Sequence, residues 1–231
     1  MFLNDAFDAA FDRQHRAERP IPSGAISVSS VWRWGIGLMA VGLLLVITHS
    51  VPAAILSVLL VLSILLYDAV HKMVAFSPVL MALCRVLLLL LATSFGQLEL
   101  GGLALWSSLV LGGYIIGLSY IARRESAASL IRFWPLLPLV APLVLAYLVN
   151  AGPYRESGLT LCLLLAVWMV KSLHPLWTSE QPVIGRTVSH LLAGICLVDL
   201  LAVADAPKPI AAAFVAYFGL SLLLQRYVPA T

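Results

Sequence analysis

The residues best suited to chemistry lie near the start of the chain, where Asn4, Asp5, Asp8 and Asp12 follow one another closely. On an α-helix the three aspartates project from one face, and Asn4 lies one turn before Asp8. Carboxylates this close repel one another unless a cation lies between them, and hard oxygen ligands favour Mg²⁺. The pattern therefore predicts a metal and diphosphate site. The alternative is a solvent-facing acidic helix start that suits the helix dipole.

The rest of the chain predicts a membrane setting for this face. Of its 231 residues, 61% are hydrophobic and 11% are charged, and the mean hydropathy is +1.00. Soluble domains carry far more charge, so we expect an integral membrane protein. Apolar runs of about 17–22 residues, long enough to cross a bilayer as helices, lie at 31–48, 52–68, 79–96, 102–121, 132–150, 158–174, 186–204 and 208–226.

These runs are rich in Leu, Val, Ala and Gly and lack the alternation of a membrane β-barrel. We therefore expect an all-α fold, a polytopic bundle of about eight transmembrane helices. The bundle forms a single membrane domain over 1–231, with an Asp-rich segment at 1–30 and the spans at 31–226. Pro135, Pro138 and Pro142 predict a kink in the fifth run.

The positive charges predict the orientation. If alternate loops share a side, every Lys and Arg except Arg155 and Lys208 lies on the side of the N-terminal segment. The positive-inside rule assigns that side to the cytoplasm. We expect a multi-pass protein of the cytoplasmic membrane whose site faces the cytoplasm. The small net charge of +3 then reflects topology, and no nucleic-acid partner is expected.

The order Asn4-Asp5-x-x-Asp8-x-x-x-Asp12, followed by Arg19-Pro20-x-Pro22-Ser23-Gly24, resembles the first aspartate motif of the UbiA superfamily of intramembrane prenyltransferases. A pair of apolar runs follows the motif, as in that family. Residues 4–8 and 120–125 are similar, more specifically, to the EboC-like branch. In the family a membrane helix precedes this motif, whereas here only Met1–Leu3 does. The resemblance therefore implies that the first one or two N-terminal helices are missing.

The resemblance implies a bundle in which Mg²⁺ joins aspartates to the diphosphate of an isoprenoid donor, while an acceptor, often aromatic, captures the allylic cation. It implies that Asn4, Asp8 and Asp12 are the metal ligands, with Asp8 and Asp12 catalytic. It also assigns Asn4, Asp5 and Arg19 to the substrate diphosphate. For Arg19 the alternative is a charge that anchors its loop at the membrane surface.

A second cluster, Tyr67-Asp68-Ala69-Val70-His71-Lys72, lies at the cytoplasmic end of the second run. The family carries Tyr-x-x-x-Lys here, and in this chain His71 takes the expected lysine position and Lys72 follows it. We expect Lys72 to neutralise a phosphate and Tyr67 to orient the diphosphate or shield the cation. The alternative is an interfacial Tyr with a Lys that reaches the headgroups.

The end of the fourth run departs from the family, because the second Asp-x-x-x-Asp motif is absent and Glu125 is the local acid. Arg123 and Arg124 either bind phosphate in place of a second Mg²⁺, with Glu125 beside them, or are ordinary loop charges. Arg85 lies about two turns inside the third run. An intramembrane charge usually faces a site or a partner, so Arg85 is a further diphosphate candidate or a partner of Asp68 or Glu125.

Our leading hypothesis is therefore an enzyme, a Mg²⁺-dependent membrane prenyltransferase. It would transfer an isoprenoid group from a polyprenyl diphosphate to an unidentified small-molecule acceptor, aromatic in many relatives. The alternative, which the missing second aspartate pair motivates, is a noncatalytic protein that binds lipid diphosphates or takes part in membrane assembly.

Overall fold

The computed structural model describes residues 2–96, 100–123, 134–149, 155–178, 184–204, 206–225 and 227. The chain divides into two compact units, Met1–Ser108 and Leu109–Thr231. The boundary between them lies within a continuous helix. The single domain expected from the sequence stays a prediction.

The first unit contains four helices, α1 (Phe2–His15), α2 (Val28–Ile47), α3 (Val51–Val70) and α4 (Ser77–Thr93). Serine caps set two of their starts. Ser27 accepts a hydrogen bond from the backbone N–H of Ser30, and Ser50 accepts one from Ala53. Such caps satisfy backbone donors that the first turn leaves unpaired, and they fix the residues at which both apolar helices begin.

Helix α1 packs against α2 and α3. It buries Leu3, Ala6 and Ala9 together with the two aspartates Asp8 and Asp12. Its close approach to α2 depends on Gly35, where an added Cβ would lie 2.8 Å from the Leu3 side chain. The helix therefore turns its acidic face inward, and the solvent-facing alternative considered above is wrong for Asp8 and Asp12.

The loop after α1 is a compact turn. Gly24 adopts a positive φ of 80°, and the Ile26 N–H donates to the Pro20 carbonyl at 3.2 Å. Positive φ is a conformation that glycine adopts at no steric cost, which explains the glycine of the Pro-x-Pro-Ser-Gly sequence. The Ser23 N–H donates to the Arg19 carbonyl at 2.9 Å, so the turn holds Arg19 next to the end of α1.

The second unit begins within α5 (Gly102–Ala122). It continues with α6 (Leu136–Leu139), α7 (Ala141–Val149), α8 (Arg155–Leu173), α9 (Pro175–Thr178), α10 (Ile184–Ala202) and α11 (Lys208–Leu224). Helix α10 packs against α7, α8, α9 and α11. It is therefore the central helix of this unit among the described residues.

The apolar helices agree with the predicted all-α polytopic fold. In the described part of the chain, five helical segments are long and apolar enough to cross a membrane: α2, α3, α5, Arg155–Thr178 and α10. Helices α4 and α11 are apolar but shorter, with 17 residues each. Each predicted run contains a helix, so the fold class is confirmed, and the chain is an integral multi-pass membrane protein.

The fifth predicted run is interrupted, as its prolines indicated. Helix α6 ends at Leu139, and α7 starts two residues later, at Ala141. Pro142 has no N–H and cannot donate to the carbonyl of Pro138, so the regular ladder stops here. The two parts are 4 and 9 residues long, and neither is long enough alone to cross a bilayer.

Candidate active site

The end of α1 forms one half of a charged cluster. Asp12 is 2% exposed, and its Oδ2 accepts a hydrogen bond from Arg19 Nη1 at 2.9 Å. The same guanidinium nitrogen lies 3.6 Å from Asp5 Oδ1. Asp5 and Asp12 are two turns apart on one face of α1, so Arg19 spans both carboxylates.

Asp12 also carries an unpaired atom. Its Oδ1 is buried and has no hydrogen-bond partner among the described residues. Leaving a buried acceptor unsatisfied costs about 1–3 kcal/mol, and more for a charged group. Unpaired buried groups in native structures commonly receive a water molecule or an ion, so Asp12 Oδ1 is available to such a ligand.

The end of α3 supplies the other half of the cluster. Lys72 Nζ lies 2.8 Å from Asp8 Oδ1, and His71 Nε2 lies 3.6 Å from the same oxygen. The Lys72 ammonium also lies 3.8 Å from the centroid of the Phe11 ring. The Lys72 ammonium therefore contacts both the Asp8 carboxylate and the face of the Phe11 ring.

A hydrogen bond joins the starting residues of α1 to α3. Asn4 Nδ2 donates to Asp68 Oδ1 at 3.2 Å, and Asp68 is 7% exposed. In the same turn, His71 Nδ1 donates to the Asp68 backbone carbonyl at 3.1 Å. The other ring nitrogen, Nε2, faces Asp8. The Tyr67 ring stacks on His71 with its centroid 5.2 Å away.

The structure thus brings together most of the site residues predicted from sequence: Asn4, Asp5, Asp8, Asp12, Arg19, Tyr67 and Lys72. Sequence reasoning named Asp68 and His71 within its second cluster but gave neither a role at the site, and it missed Phe11. Asp68 and His71 carried a usable signal, because they are polar and lie in the same short run as Tyr67 and Lys72. Phe11 carried none, since an aromatic residue on an amphipathic helix is ordinary.

Arg85 lies on α4 with an exposed side chain and forms no ion pair with a carboxylate in the described part of the chain. The pairing with Asp68 that the sequence suggested is not formed, because Asp68 accepts its hydrogen bond from Asn4 instead. A role for Arg85 at a diphosphate stays a prediction.

The end of α5 gives a physical reason for the missing second aspartate pair. A Cβ at Gly117 would lie 2.6 Å from the Pro135 carbonyl oxygen and 2.8 Å from Leu139 Cβ. Ile121, one turn later, is buried. Gly117 and Ile121 have the four-residue spacing of the family's second aspartate pair at the end of this helix, and packing occupies both positions.

Arg123 directly follows the last residue of α5, and its side chain is exposed. Arg124 and Glu125 lie outside the described residues. The predicted role of these three side chains at the diphosphate stays a prediction.

The cluster on α1 and α3 fits a divalent cation. In the described part of the chain, no group of three His, Cys, Asp or Glu side chains forms a metal site. The ligand set predicted from sequence is different, because it consists of two carboxylates, Asp8 and Asp12, and the amide oxygen of Asn4. The carboxylates of the cluster, Asp5, Asp8, Asp12 and Asp68, outnumber its permanent cations, Arg19 and Lys72. The resulting negative charge and the unpaired Asp12 Oδ1 favour a hard cation such as Mg²⁺. Occupation of Asp8 and Asp12 would release Lys72 and Arg19 toward an anion.

Comparison with known proteins identifies the family of this chain. Residues 1–220 match the model of the UbiA prenyltransferase family. The digeranylgeranylglyceryl phosphate synthase of Sulfolobus acidocaldarius is 33% identical over 124 residues, which are 52% of this chain and 40% of that protein. The synthase of the same name from Methanoregula boonei is 49% identical over 41 residues, which are 18% of this chain and 15% of that protein.

The aligned part is less than half of either relative's own length. No solved structure matches the chain. The family match, in contrast, covers nearly all of the sequence and includes every residue of the cluster on α1 and α3. The chain therefore belongs to the UbiA prenyltransferase family.

Proposed function

We propose that this protein is a Mg²⁺-dependent prenyltransferase of the cytoplasmic membrane that uses a polyprenyl diphosphate donor. The observation that carries the proposal is the unpaired, buried Oδ1 of Asp12. The other oxygen of this carboxylate contacts Arg19, and Asp8 on the same helix contacts Lys72, and Arg and Lys are side chains that bind phosphate. Family membership supports it further, since UbiA enzymes are generally dependent on a divalent metal.

Asn4, Asp8 and Asp12 would hold the cation through oxygen atoms. Bound there, Mg²⁺ would offset the negative charge that develops on the leaving diphosphate. The chain's own part is the exchange of ion-pair partners. Lys72 and Arg19 are 35% and 32% exposed in their side chains, so both can turn from a carboxylate to a phosphate oxygen when a donor binds.

In the reaction the bond between the allylic C1 of the donor and its diphosphate oxygen breaks, and the electron pair leaves with the diphosphate. The acceptor forms the new bond to C1 and loses a proton. Arg19 and Lys72, once turned toward the diphosphate, stabilise the leaving group with their positive charges. The apolar helices keep bulk water from the cation that forms.

The acceptor has two candidate classes. The name of the relatives describes a glyceryl phosphate with two geranylgeranyl groups, so a glyceryl phosphate acceptor and a geranylgeranyl donor are the first pair to test. An aromatic acceptor, which the family resemblance suggested, is the second. Neither class requires a change in the diphosphate site described above.

A noncatalytic lipid-diphosphate-binding protein is the alternative function. The packing of Gly117 against the Pro135 carbonyl favours it, since the second carboxylate pair of the family cannot form there. Such a protein would bind the donor with Mg²⁺ but release no diphosphate.

The test uses the purified protein in nanodiscs with radiolabelled geranylgeranyl diphosphate, with and without Mg²⁺. We expect Mg²⁺-dependent binding that Asp8→Asn abolishes, while Glu18→Gln, an exposed acid in the loop after α1, leaves it unchanged. Diphosphate release with either acceptor class supports the enzyme, and binding without release supports the noncatalytic alternative. Wild-type binding by Asp8→Asn would contradict the site itself.

The cytoplasmic orientation has its own test. We expect a cysteine at Gly152 to react with an impermeant thiol reagent added outside intact cells, and one at Ser126 to react only after the cells are opened. The background is a variant in which Cys84, Cys162 and Cys196 are serines. The reverse labelling would overturn the proposed orientation.

A further inference from the structure

Asp68 is a buried carboxylate that the first aspartate motif does not include. It lies in the last turn of the apolar helix α3 and is 7% exposed. A charge within an apolar helix is expensive and usually has a functional partner. The contact it makes is specific, because Asp68 Oδ1 accepts a hydrogen bond from Asn4 Nδ2 at 3.2 Å.

This contact selects one orientation of the Asn4 amide. An asparagine side chain has a donor nitrogen and an acceptor oxygen on opposite edges of one plane. A carboxylate only accepts, so with Asp68 in place the nitrogen faces α3. A flipped amide would bring two oxygens together in a buried position, which is unfavourable.

Resting on the proposed function, we propose that Asp68 is a positioning residue, which holds the Asn4 amide so that Oδ1 remains available as a ligand for the divalent cation. The negative charge of Asp68 also polarises the amide and makes Oδ1 a better donor of electron density to the metal. Carboxylates that hold metal ligands from behind act in this way in many metal sites.

The same turn of α3 makes further contacts with the cluster. The Asp68 backbone carbonyl accepts from His71 Nδ1, and His71 Nε2 faces Asp8. Lys72, the next residue, contacts Asp8 as well. One helix end therefore sets the orientation of the Asn4 amide on α1 through Asp68, and contacts Asp8 on α1 through Lys72 and His71.

The test compares Asp68→Ala with the exchange variant Asn4→Asp/Asp68→Asn. The readout is the Mg²⁺ concentration that half-saturates binding of radiolabelled geranylgeranyl diphosphate in nanodiscs. Loss of an outer partner of a ligand typically weakens metal affinity by about 10- to 100-fold, so we expect Asp68→Ala to raise that concentration to this extent. The exchange variant should return it to within a few-fold of wild type, because the amide now on α3 can donate to the carboxylate now on α1.

Two controls separate positioning from folding. Ser63→Ala removes another buried polar side chain of α3 and should leave the Mg²⁺ requirement unchanged. Thermal unfolding without Mg²⁺ reports the structural cost of each variant. Should Asp68→Ala fail to fold, Asp68→Asn, which keeps an acceptor oxygen, takes its place, and we expect it to fall between wild type and the alanine variant.

A wild-type Mg²⁺ requirement in Asp68→Ala would overturn the inference. So would an exchange variant as weak as the alanine variant, because Asp68 would then act by its charge or its fold alone. Failure of the inference is distinguishable from failure of the proposed function. In the first case Asp8→Asn still abolishes binding, and in the second Asp8→Asn binds donor as the wild type does.

Discussion

Two regions of the molecule treat buried polar groups in opposite ways. On α1 and α3 the polar groups are charged, their cationic partners are partly exposed, and one carboxylate oxygen, Asp12 Oδ1, has no partner among the described residues. Around α10 in the second unit, neutral donors meet backbone carbonyls. The carbonyls of 189, 190 and 191 accept from Gln225, Trp168 and Tyr114 at 2.8, 2.9 and 2.8 Å.

The difference supports the proposal that the first region binds a ligand and that the second holds helices together. Neutral side chains that donate to backbone carbonyls inside a helix bundle hold helices together at fixed positions. The Thr187 hydroxyl of α10 is buried without a partner among the described residues, but it carries no charge. Charged groups with an unpaired oxygen and partners that can move are poorly suited to that task, and well suited to exchanging one ion for another. Variants in the two regions should therefore change different measurements.

The largest effect is expected for Asp12→Asn. It removes the charge from the carboxylate with the unpaired oxygen, so Mg²⁺-dependent binding of geranylgeranyl diphosphate should be lost. The melting temperature should change little, because Arg19 is 32% exposed and water can solvate its released guanidinium. A large drop in stability with unchanged donor binding would place Asp12 in the structural class and break the comparison.

A smaller effect, on stability alone, is expected for Gly194→Ala. The added Cβ would lie 2.6 Å from Tyr114 Oη and 3.3 Å from Trp168 Nε1. Overpacking of this kind typically costs about 1–3 kcal/mol, which thermal or denaturant unfolding in detergent can detect. Gly42→Ala on α2, where an added Cβ meets no atom within 4 Å, is the matched control. Equal stability of the two variants would show that the α10 contacts are loose.

A weaker loss is expected for Tyr114→Phe, which keeps the ring and removes only the hydroxyl that donates to the Leu191 carbonyl. A hydrogen bond of this type contributes about 0.5–1.5 kcal/mol. The unfolding free energy should fall by that amount, and the Mg²⁺ requirement for donor binding should stay at the wild-type value. A shift in the Mg²⁺ requirement would mean that the two regions are not functionally separate.

The smallest effect is expected for Phe11→Leu. This change keeps an apolar side chain and removes the ring that lies 3.8 Å from the Lys72 ammonium. A cation–π contact at a partly exposed site is worth about 0.5–1 kcal/mol, which corresponds to a few-fold change in donor affinity. Phe7→Leu, which removes a ring that packs on Trp32 instead, should bind as the wild type does. Equal affinities for all three proteins would exclude a role for the ring.

Most of this fold could be predicted from sequence, because a membrane helix depends on an apolar run that is visible residue by residue. The helices α2, α3 and α5 begin and end within a few residues of the predicted bounds. The polar cluster residues on α1 were also predictable, since their spacing is local to one helix.

Contacts between helices were not predictable in the same way. The Asn4–Asp68 hydrogen bond joins positions 64 residues apart and depends on the position of α1 along α3. Packing contacts such as that of Leu3 with Gly35 of α2 set this position, and composition and periodicity do not report them. The same reason explains why the sequence predicted roles for Lys72 and Asp8 but did not predict that Lys72 and His71 both contact Asp8.

The contact between Gly117 and the Pro135 carbonyl has an evolutionary consequence. With 2.6 Å between that oxygen and the place a Cβ would take, no single substitution can return an aspartate to this position without moving one backbone segment away from another. A carboxylate at position 117 would therefore need a compensating change in the segment that contains Pro135 and Leu139, so at least two changes would have to occur together.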